Sequence, residues 1–257
     1  MINLNKLTKK GRTLLLAYDQ GLEHGPTDFN DNNVDPNYII DIAKKGKYNG
    51  IVFQKGIAEK YQKEIKRSRI PLIVKLNGKT NLVKGEPISR QLCTVEEAIS
   101  LGAKAVGYTI YIGSDYEDEM FQEFENIQRE AHKKGLPVIV WIYPRGKSID
   151  KKLKNEKEKA KLMEYAARTG LEIGADIIKI QFSGTEKDLS WAVKAAGKTK
   201  VVVAGGSKEN EKAFLKKVEE IMHSGCIGLA VGRNVWQSEK PLELTKKIKD
   251  VIWGGKR

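Results

Sequence analysis

Two lysines in this chain lie in runs that seldom admit a charge. Lys179 sits in Asp176-Ile177-Ile178-Lys179-Ile180 and Lys75 in Ile73-Val74-Lys75-Leu76. Near-continuous branched apolar residues mark strands buried on both faces. Burial of an ammonium is unfavourable, so a lysine held there has its pKa pushed down by desolvation and by neighbouring cations. A partly neutral lysine is what attack on a carbonyl to form a Schiff base requires. The plainer alternative is a lysine near a strand end that snorkels its charge or pairs with a carboxylate such as Asp19. Lys179 is the first candidate for the nucleophile, and Lys75 is its rival.

Other residue types with chemical capacity gather at the ends of similar runs. Trp141 and Tyr143 are two apart in Pro137-Val138-Ile139-Val140-Trp141-Ile142-Tyr143 and so point to one face of a strand. A tyrosine so placed can serve as a general acid or base, or can be a packed aromatic with a satisfied hydroxyl. Gly205-Gly206-Ser207 and Gly232-Arg233 close two later runs. Glycine lets a backbone approach an anion, and an arginine fork matches phosphate oxygens. Two ordinary turns are the alternative. Asp19 could ligate a metal, act as a base or orient Lys179. His24, His132 and His223 are the only histidines, and none is spaced as a metal ligand, so no metal is expected.

These groups need a scaffold that brings strand ends together. Eight short apolar runs, 13–19, 50–54, 71–76, 103–110, 137–143, 176–182, 200–205 and 227–232, alternate with charged segments of helical period. Asp35-Pro36 is a helix start, and Thr94 with Glu97 and Ser114 with Glu117 read as capping boxes. Phe121, Phe124, Ile127 and Ala131 form a stripe that Gly135 ends. Leu162, Tyr165 and Ala166 suggest the buried face of a helix between 155 and 170. Eight β/α units in 257 residues predict a single-domain (β/α)8 TIM barrel over 1–257. A dinucleotide-binding sheet would carry G-x-G-x-x-G after its first strand, whereas Asp19-Gln20-Gly21-Leu22-Glu23-His24-Gly25 stands there. In such a barrel the site lies at the C-terminal strand ends. The polar residues there are Asp19, Gln54, Lys75, Asn77, Tyr108, Trp141, Tyr143, Lys179, Gln181 and the two glycine turns.

Composition narrows the partners. The net charge of +13 suits an anionic ligand, yet lysines are dispersed among glutamates and aromatics amount to only 7%. That pattern argues against a stacking, nucleic-acid-binding face. No apolar run reaches the length of a membrane span, no secretory h-region precedes residue 11, and two isolated cysteines fit a reducing cytoplasm.

The chain resembles the archaeal-type class I fructose-bisphosphate aldolases of the DhnA-like, DeoC/LacD superfamily. The matching stretches are Ala17-Tyr18-Asp19-Gln20-Gly21-Leu22-Glu23-His24-Gly25-Pro26, Leu76-Asn77-Gly78-Lys79-Thr80, Trp141-Ile142-Tyr143-Pro144-Arg145-Gly146, Ile178-Lys179-Ile180, Val203-Ala204-Gly205-Gly206-Ser207 and Gly228-Leu229-Ala230-Val231-Gly232-Arg233-Asn234-Val235-Trp236. The resemblance implies a Schiff base between Lys179 and C2 of dihydroxyacetone phosphate, proton transfer by Tyr143, and Trp141 beside the intermediate. It also implies Asp19 and His24 on substrate hydroxyls and Lys179, and one phosphate at Ala204, Gly205, Gly206, Val231, Gly232 and Arg233. Arg145 or Asp28 would meet the far end, and Gln20 and Gln181 would line the substrate. Gln20 departs from the family, in which many members have His; it can donate a hydrogen bond but cannot titrate. No cofactor is implied, and a ring-like homo-oligomer, up to a decamer, is. A Schiff-base aldol synthase of aromatic amino-acid precursor synthesis ranks second, because such proteins tend to lack the Glu23-His24-Gly25 that follows here.

Overall fold

The computed structural model describes residues 2–254, so residues 1 and 255–257 of the expected domain lie outside the described residues. Eight strands make up the barrel: β1 Thr13–Ala17, β2 Gly50–Gln54, β3 Leu72–Lys75, β4 Ala105–Ile112, β5 Val138–Pro144, β6 Ile177–Ile180, β7 Lys200–Ala204 and β8 Gly228–Val231; a short antiparallel pair, Asn77–Gly78 with Arg90–Gln91, stands outside it. Each barrel strand pairs in parallel with its neighbours in sequence, and β8 pairs with β1, so the sheet closes into the TIM barrel.

The alternation of side chains across each strand makes two cores. Leu15, Val52, Ile73, Ala105, Ile139, Ile177, Val202 and Ala230 point inward and fill the barrel, with Leu7 among them. The residues between them, such as Leu14, Leu16, Val74, Val140, Ile178 and Val203, point outward and pack among the buried helix residues. The step of two then carries each inner row upward: Ile139 to Trp141 and Tyr143, and Ile177 to Lys179 and Gln181. The lower barrel is apolar, and the polar groups reach its mouth.

Helix signals hold at Asp35, whose side chain accepts from Asn37 N at 2.9 Å, and at Thr94–Glu97, which forms the reciprocal capping box. A second box, Thr185 with Asp188, starts helix Glu186–Ala195. Ser114 and Glu117 do not form one. The helix begins at Glu117, Ser114 Oγ donates to Pro87 O at 2.7 Å, and Glu117 turns back to accept from Gly113 N at 2.6 Å. On helix Glu156–Glu172 the buried face is Ala160, Met163, Ala166, Ala167 and Gly170, while Tyr165 is 69% exposed. The small residues win that face because the helix packs close to the sheet: a Cβ at Gly170 would lie 2.5 Å from Ile178 Cγ1.

Candidate active site

The mouth of the barrel holds one cavity. Asp19, Gln20, Glu23, His24, Lys75, Lys79, Tyr111, Trp141, Tyr143, Arg145, Lys179, Gln181, Ala204, Gly205, Gly206, Gly232 and Arg233 all line it. Every residue expected to act in catalysis or to bind substrate is therefore in the wall except Asp28 and Val231; of the other polar residues expected at the mouth, Asn77 and Tyr108 are not. The Val231 side chain is buried on the outer face of β8, so only its backbone is near the site. Asp28 pairs instead with Arg233 at 3.5 Å and with His24 Nδ1 at 2.5 Å. That places it behind Arg233 as a brace and not at the far end of the cavity. Tyr108, expected at the mouth, faces outward and donates to Glu123, because its parity on β4 is opposite to that of Gly107 and Thr109.

At the centre, Trp141 on β5 neighbours Lys179 on β6 in register. Two lysine amines lie over its indole: Lys179 Nζ is 4.9 Å and Lys75 Nζ 5.3 Å from the ring centroid. Space for it comes from Gly107 on β4, where a Cβ would lie 2.3 Å from Trp141 Cζ3. Asp19 Oδ2 is 3.9 Å from Lys75 Nζ.

The electrostatics follow from this arrangement. Burial pushes the Lys179 pKa down to about 8, the nearby Asp19 carboxylate opposes the shift, and the Lys75 charge adds to it. Burial lowers Lys75 as well, against Asp19 and Glu23. Burial, with the Asp19 carboxylate second, holds the Tyr143 phenol well above its ordinary range, and Arg145 only moderates the rise. In the resting site Tyr143 is therefore a phenol, a proton donor. The Trp141 Nε1 and Gln20 Nε2 donors are buried without a partner among the described residues, which leaves both free for a polar ligand.

Two cationic ends flank this centre. At one, the β7 and β8 turns face each other. Asn234 Nδ2 donates to both Gly205 O and Ser207 O at 2.8 Å, and Trp236 Nε1 donates to Ala17 O at 3.2 Å, so the turns are locked together. Gly206 has φ +74°, a conformation that favours glycine. Beside them Arg233 is braced by Asp28. At the other end Arg145 follows β5, stacks near Tyr111 and Tyr143 at 5.1 and 5.7 Å, and is paired with Glu23 at 2.5 Å. Glu23, Lys79 and Tyr111 had no signal in the sequence strong enough to single them out. Tyr111 enters because β4 runs two residues beyond the apolar run that predicts it. Among the described residues no group of three or more His, Cys, Asp or Glu is placed to hold a metal ion.

A TIM barrel with a buried, partly neutral lysine between two anion-seeking ends is an enzyme built for carbonyl chemistry on a phosphorylated substrate. The DeoC/LacD family aldolase model matches residues 13–238. The chain is 48% identical to the class 1 fructose-bisphosphate aldolase of Thermoproteus tenax, over 99% of this chain and 94% of that one. The structure of an archaeal fructose-1,6-bisphosphate aldolase, with its catalytic Lys bound covalently to the carbinolamine intermediate, superposes with a TM-score of 0.89 at 47% identity, covering 98% of each chain. A 2-amino-3,7-dideoxy-D-threo-hept-6-ulosonate synthase of Archaeoglobus fulgidus is 31% identical over 98% of this chain and 90% of that one. This chain belongs to the DeoC/LacD family of aldolases.

Proposed function

We infer that the chain is a class I fructose-bisphosphate aldolase, which cleaves fructose 1,6-bisphosphate reversibly to dihydroxyacetone phosphate and glyceraldehyde 3-phosphate, and that Lys179 carries the imine. The observation that supports it best is the Lys179 amine, buried at the centre of the cavity with its pKa at about 8. The amine attacks C2 of the ketose to give a carbinolamine. Tyr143, a phenol at rest, gives its proton to the departing hydroxyl, and water leaves an iminium and a phenolate. The phenolate takes the proton of the C4 hydroxyl as the C3–C4 bond breaks, and the bonding electrons flow into the iminium. The aldehyde departs, Tyr143 protonates the enamine at C3, and hydrolysis returns the amine. The phenolate forms beside Arg145, 5.7 Å from the ring, and across from the cationic imine, so each charge appears where another offsets it.

Asp19 and His24 contact the substrate hydroxyls, Gln20, Trp141 and Gln181 line them, and Arg145 meets the phosphate at the aldehyde end. The Ala204-Gly205-Gly206 turn and Gly232-Arg233 hold the phosphate of the dihydroxyacetone half. Purified protein should release glyceraldehyde 3-phosphate from fructose 1,6-bisphosphate with dialysed, chelator-treated enzyme. Turnover only with an aldol-synthase substrate would move the chain to the second reading. The same reading places the enzyme in glycolysis or gluconeogenesis, in the cytoplasm, as a homo-oligomer whose number light scattering would give. Among the described residues no helix is long and apolar enough to cross a membrane.

Arg233→Ala removes a charge-assisted fork from the phosphate. The KM for dihydroxyacetone phosphate should rise about ten- to a hundredfold, the equivalent of about 1.5–3 kcal/mol, and inorganic phosphate should inhibit less in parallel. An unchanged KM removes the residue from that role.

The pH profile tests the two lysines together. Only neutral Lys179 attacks, so single-turnover imine formation should rise with pH and level off above about 8. In Lys75→Met a neighbouring cation is gone and Asp19 is released to pair with Lys179. Both changes favour the ammonium, so this limb should move upward by about one unit or more. A limb that stays in place would show that Lys75 does not tune the nucleophile.

A further inference from the structure

We propose that Glu86 is a positioning residue that holds the arm carrying Arg145, so that its guanidinium meets the phosphate at the aldehyde end of the substrate. The proposal rests on the reading of Arg145 given above. Glu86 lies in the segment between β3 and β4, well away from the reacting atoms. Its two carboxylate oxygens are divided between two other loops: Oε1 accepts from Lys147 N at 2.9 Å and Oε2 from Asp115 N at 3.2 Å. Lys147 is two residues beyond Arg145, and Asp115 follows β4, so one side chain joins the loops of three successive strands.

The surroundings show why this latch matters for Arg145. Arg145 N donates to Ile112 O at 3.0 Å. The next residue, Gly146, has φ +150°, and a Cβ there would lie 1.9 Å from Gly113 O. The β4 and β5 arms therefore touch backbone to backbone, a contact no other residue at 146 would allow. Ser114 Oγ, on the same arm as Asp115, donates to Pro87 O at 2.7 Å and so fastens the residue next to Glu86. The near end of the segment is fixed independently, with Asn81 N donating to Glu23 O at 3.0 Å, and Glu23 is the carboxylate paired with Arg145. The segment is thus tied to both sides of the arginine: through Asn81 to Glu23, whose carboxylate pairs with the Arg145 head group, and through Glu86 to the backbone of Lys147, two residues beyond it. The Lys147 N donor holds the Glu86 carboxyl below its ordinary range; burial opposes it, and the Asp115 N donor and the Lys147 charge add to the lowering.

The test compares fructose 1,6-bisphosphate with fructose 1-phosphate, which lacks the aldehyde-end phosphate. The ratio of their kcat/KM values measures what that phosphate contributes. In Glu86→Ala this ratio should fall about tenfold, the size of effect lost with a charge-assisted hydrogen bond, and the fall should be carried by KM for the bisphosphate. Glu86→Gln keeps one acceptor oxygen and should fall between the two; it also carries the test if the alanine variant does not fold. Equal losses on both substrates, or an unchanged ratio, overturn the proposal. Arg145→Ala is the companion measurement. If it leaves the ratio at the parent value, the Arg145 reading itself fails, whatever Glu86 does.

Discussion

Lys179→Met should leave a folded protein that no longer traps dihydroxyacetone phosphate with borohydride and has lost about 10⁴-fold or more of its cleavage rate, the order seen when a covalent nucleophile is removed. Peptide mapping of the reduced parent enzyme should place the adduct on Lys179. An adduct on Lys75 would transfer the role to the other buried amine, 5.3 Å from the Trp141 ring. The substitution also makes a claim about stability. The Lys179 pKa in the folded protein is about 8 against an ordinary 10.5. Between those values the unfolded chain binds the proton and the folded protein does not, so the parent gains stability as pH rises from about 8 to 10.5. Below pH 8 the folded state carries the full penalty of the buried ammonium, on the order of 3 kcal/mol. Methionine fills the same space without the charge. Its melting temperature at pH 7 should therefore exceed that of the parent by several degrees, and the two should converge toward pH 10. A variant less stable than the parent at pH 7 would contradict the assignment of Lys179 as a desolvated amine.

Tyr143→Phe should form the borohydride-trapped adduct on Lys179 yet turn over about 10²–10⁴ times more slowly, the usual worth of general acid–base catalysis. Only the hydroxyl is removed, and the ring keeps its place on β5. The variant should also stop exchanging the C3 proton of dihydroxyacetone phosphate with solvent deuterium. His24 is the rival, since it lines the same cavity and imidazole is a common general acid or base. Its Nδ1, however, is held by Asp28 at 2.5 Å on the side of Arg233, in a four-residue helix beyond β1. Tyr143 is on a strand, which fixes it more firmly. Exchange that persists in Tyr143→Phe and disappears in His24→Ala would assign the proton to His24.

Much of this site could be read before any coordinates. Lys179 was legible because apolar neighbours on both sides of a charge are rare in strands that face water. Tyr143 and Trp141 shared a face by spacing alone. The glycine turns at 205–206 and 232 were legible because backbone approach to an anion needs small residues at strand ends. The eight apolar runs match the eight strands to within a few residues, and the residual error lies at the mouth. There β1 and β6 stop short of the expected 19 and 182, and β4 runs on to Ile112. At the mouth hydrophobicity no longer marks the strand, because the side chains are chosen for the site and not for the core.

The amino-acid sequence by itself determined the period of each element, and with it the barrel and the candidate nucleophile, because hydrophobic alternation and capping are local properties of the chain. It could not tell which of two adjacent strand residues faces inward, and so Tyr108 was placed at the mouth when it is Tyr111 that lines it. It could not show that Gly107 makes room for Trp141, since that residue comes from the neighbouring strand and only their register brings the two together. It left Lys75 a rival to Lys179, whereas closure of the barrel puts both amines about one indole and brings Asp19 within reach of Lys75. The pairing of Asp28 with Arg233, 205 residues apart, and of Glu23 with Arg145, 122 residues apart, has the same origin. Distances across the mouth are set when β8 meets β1, and no local preference along the chain encodes them.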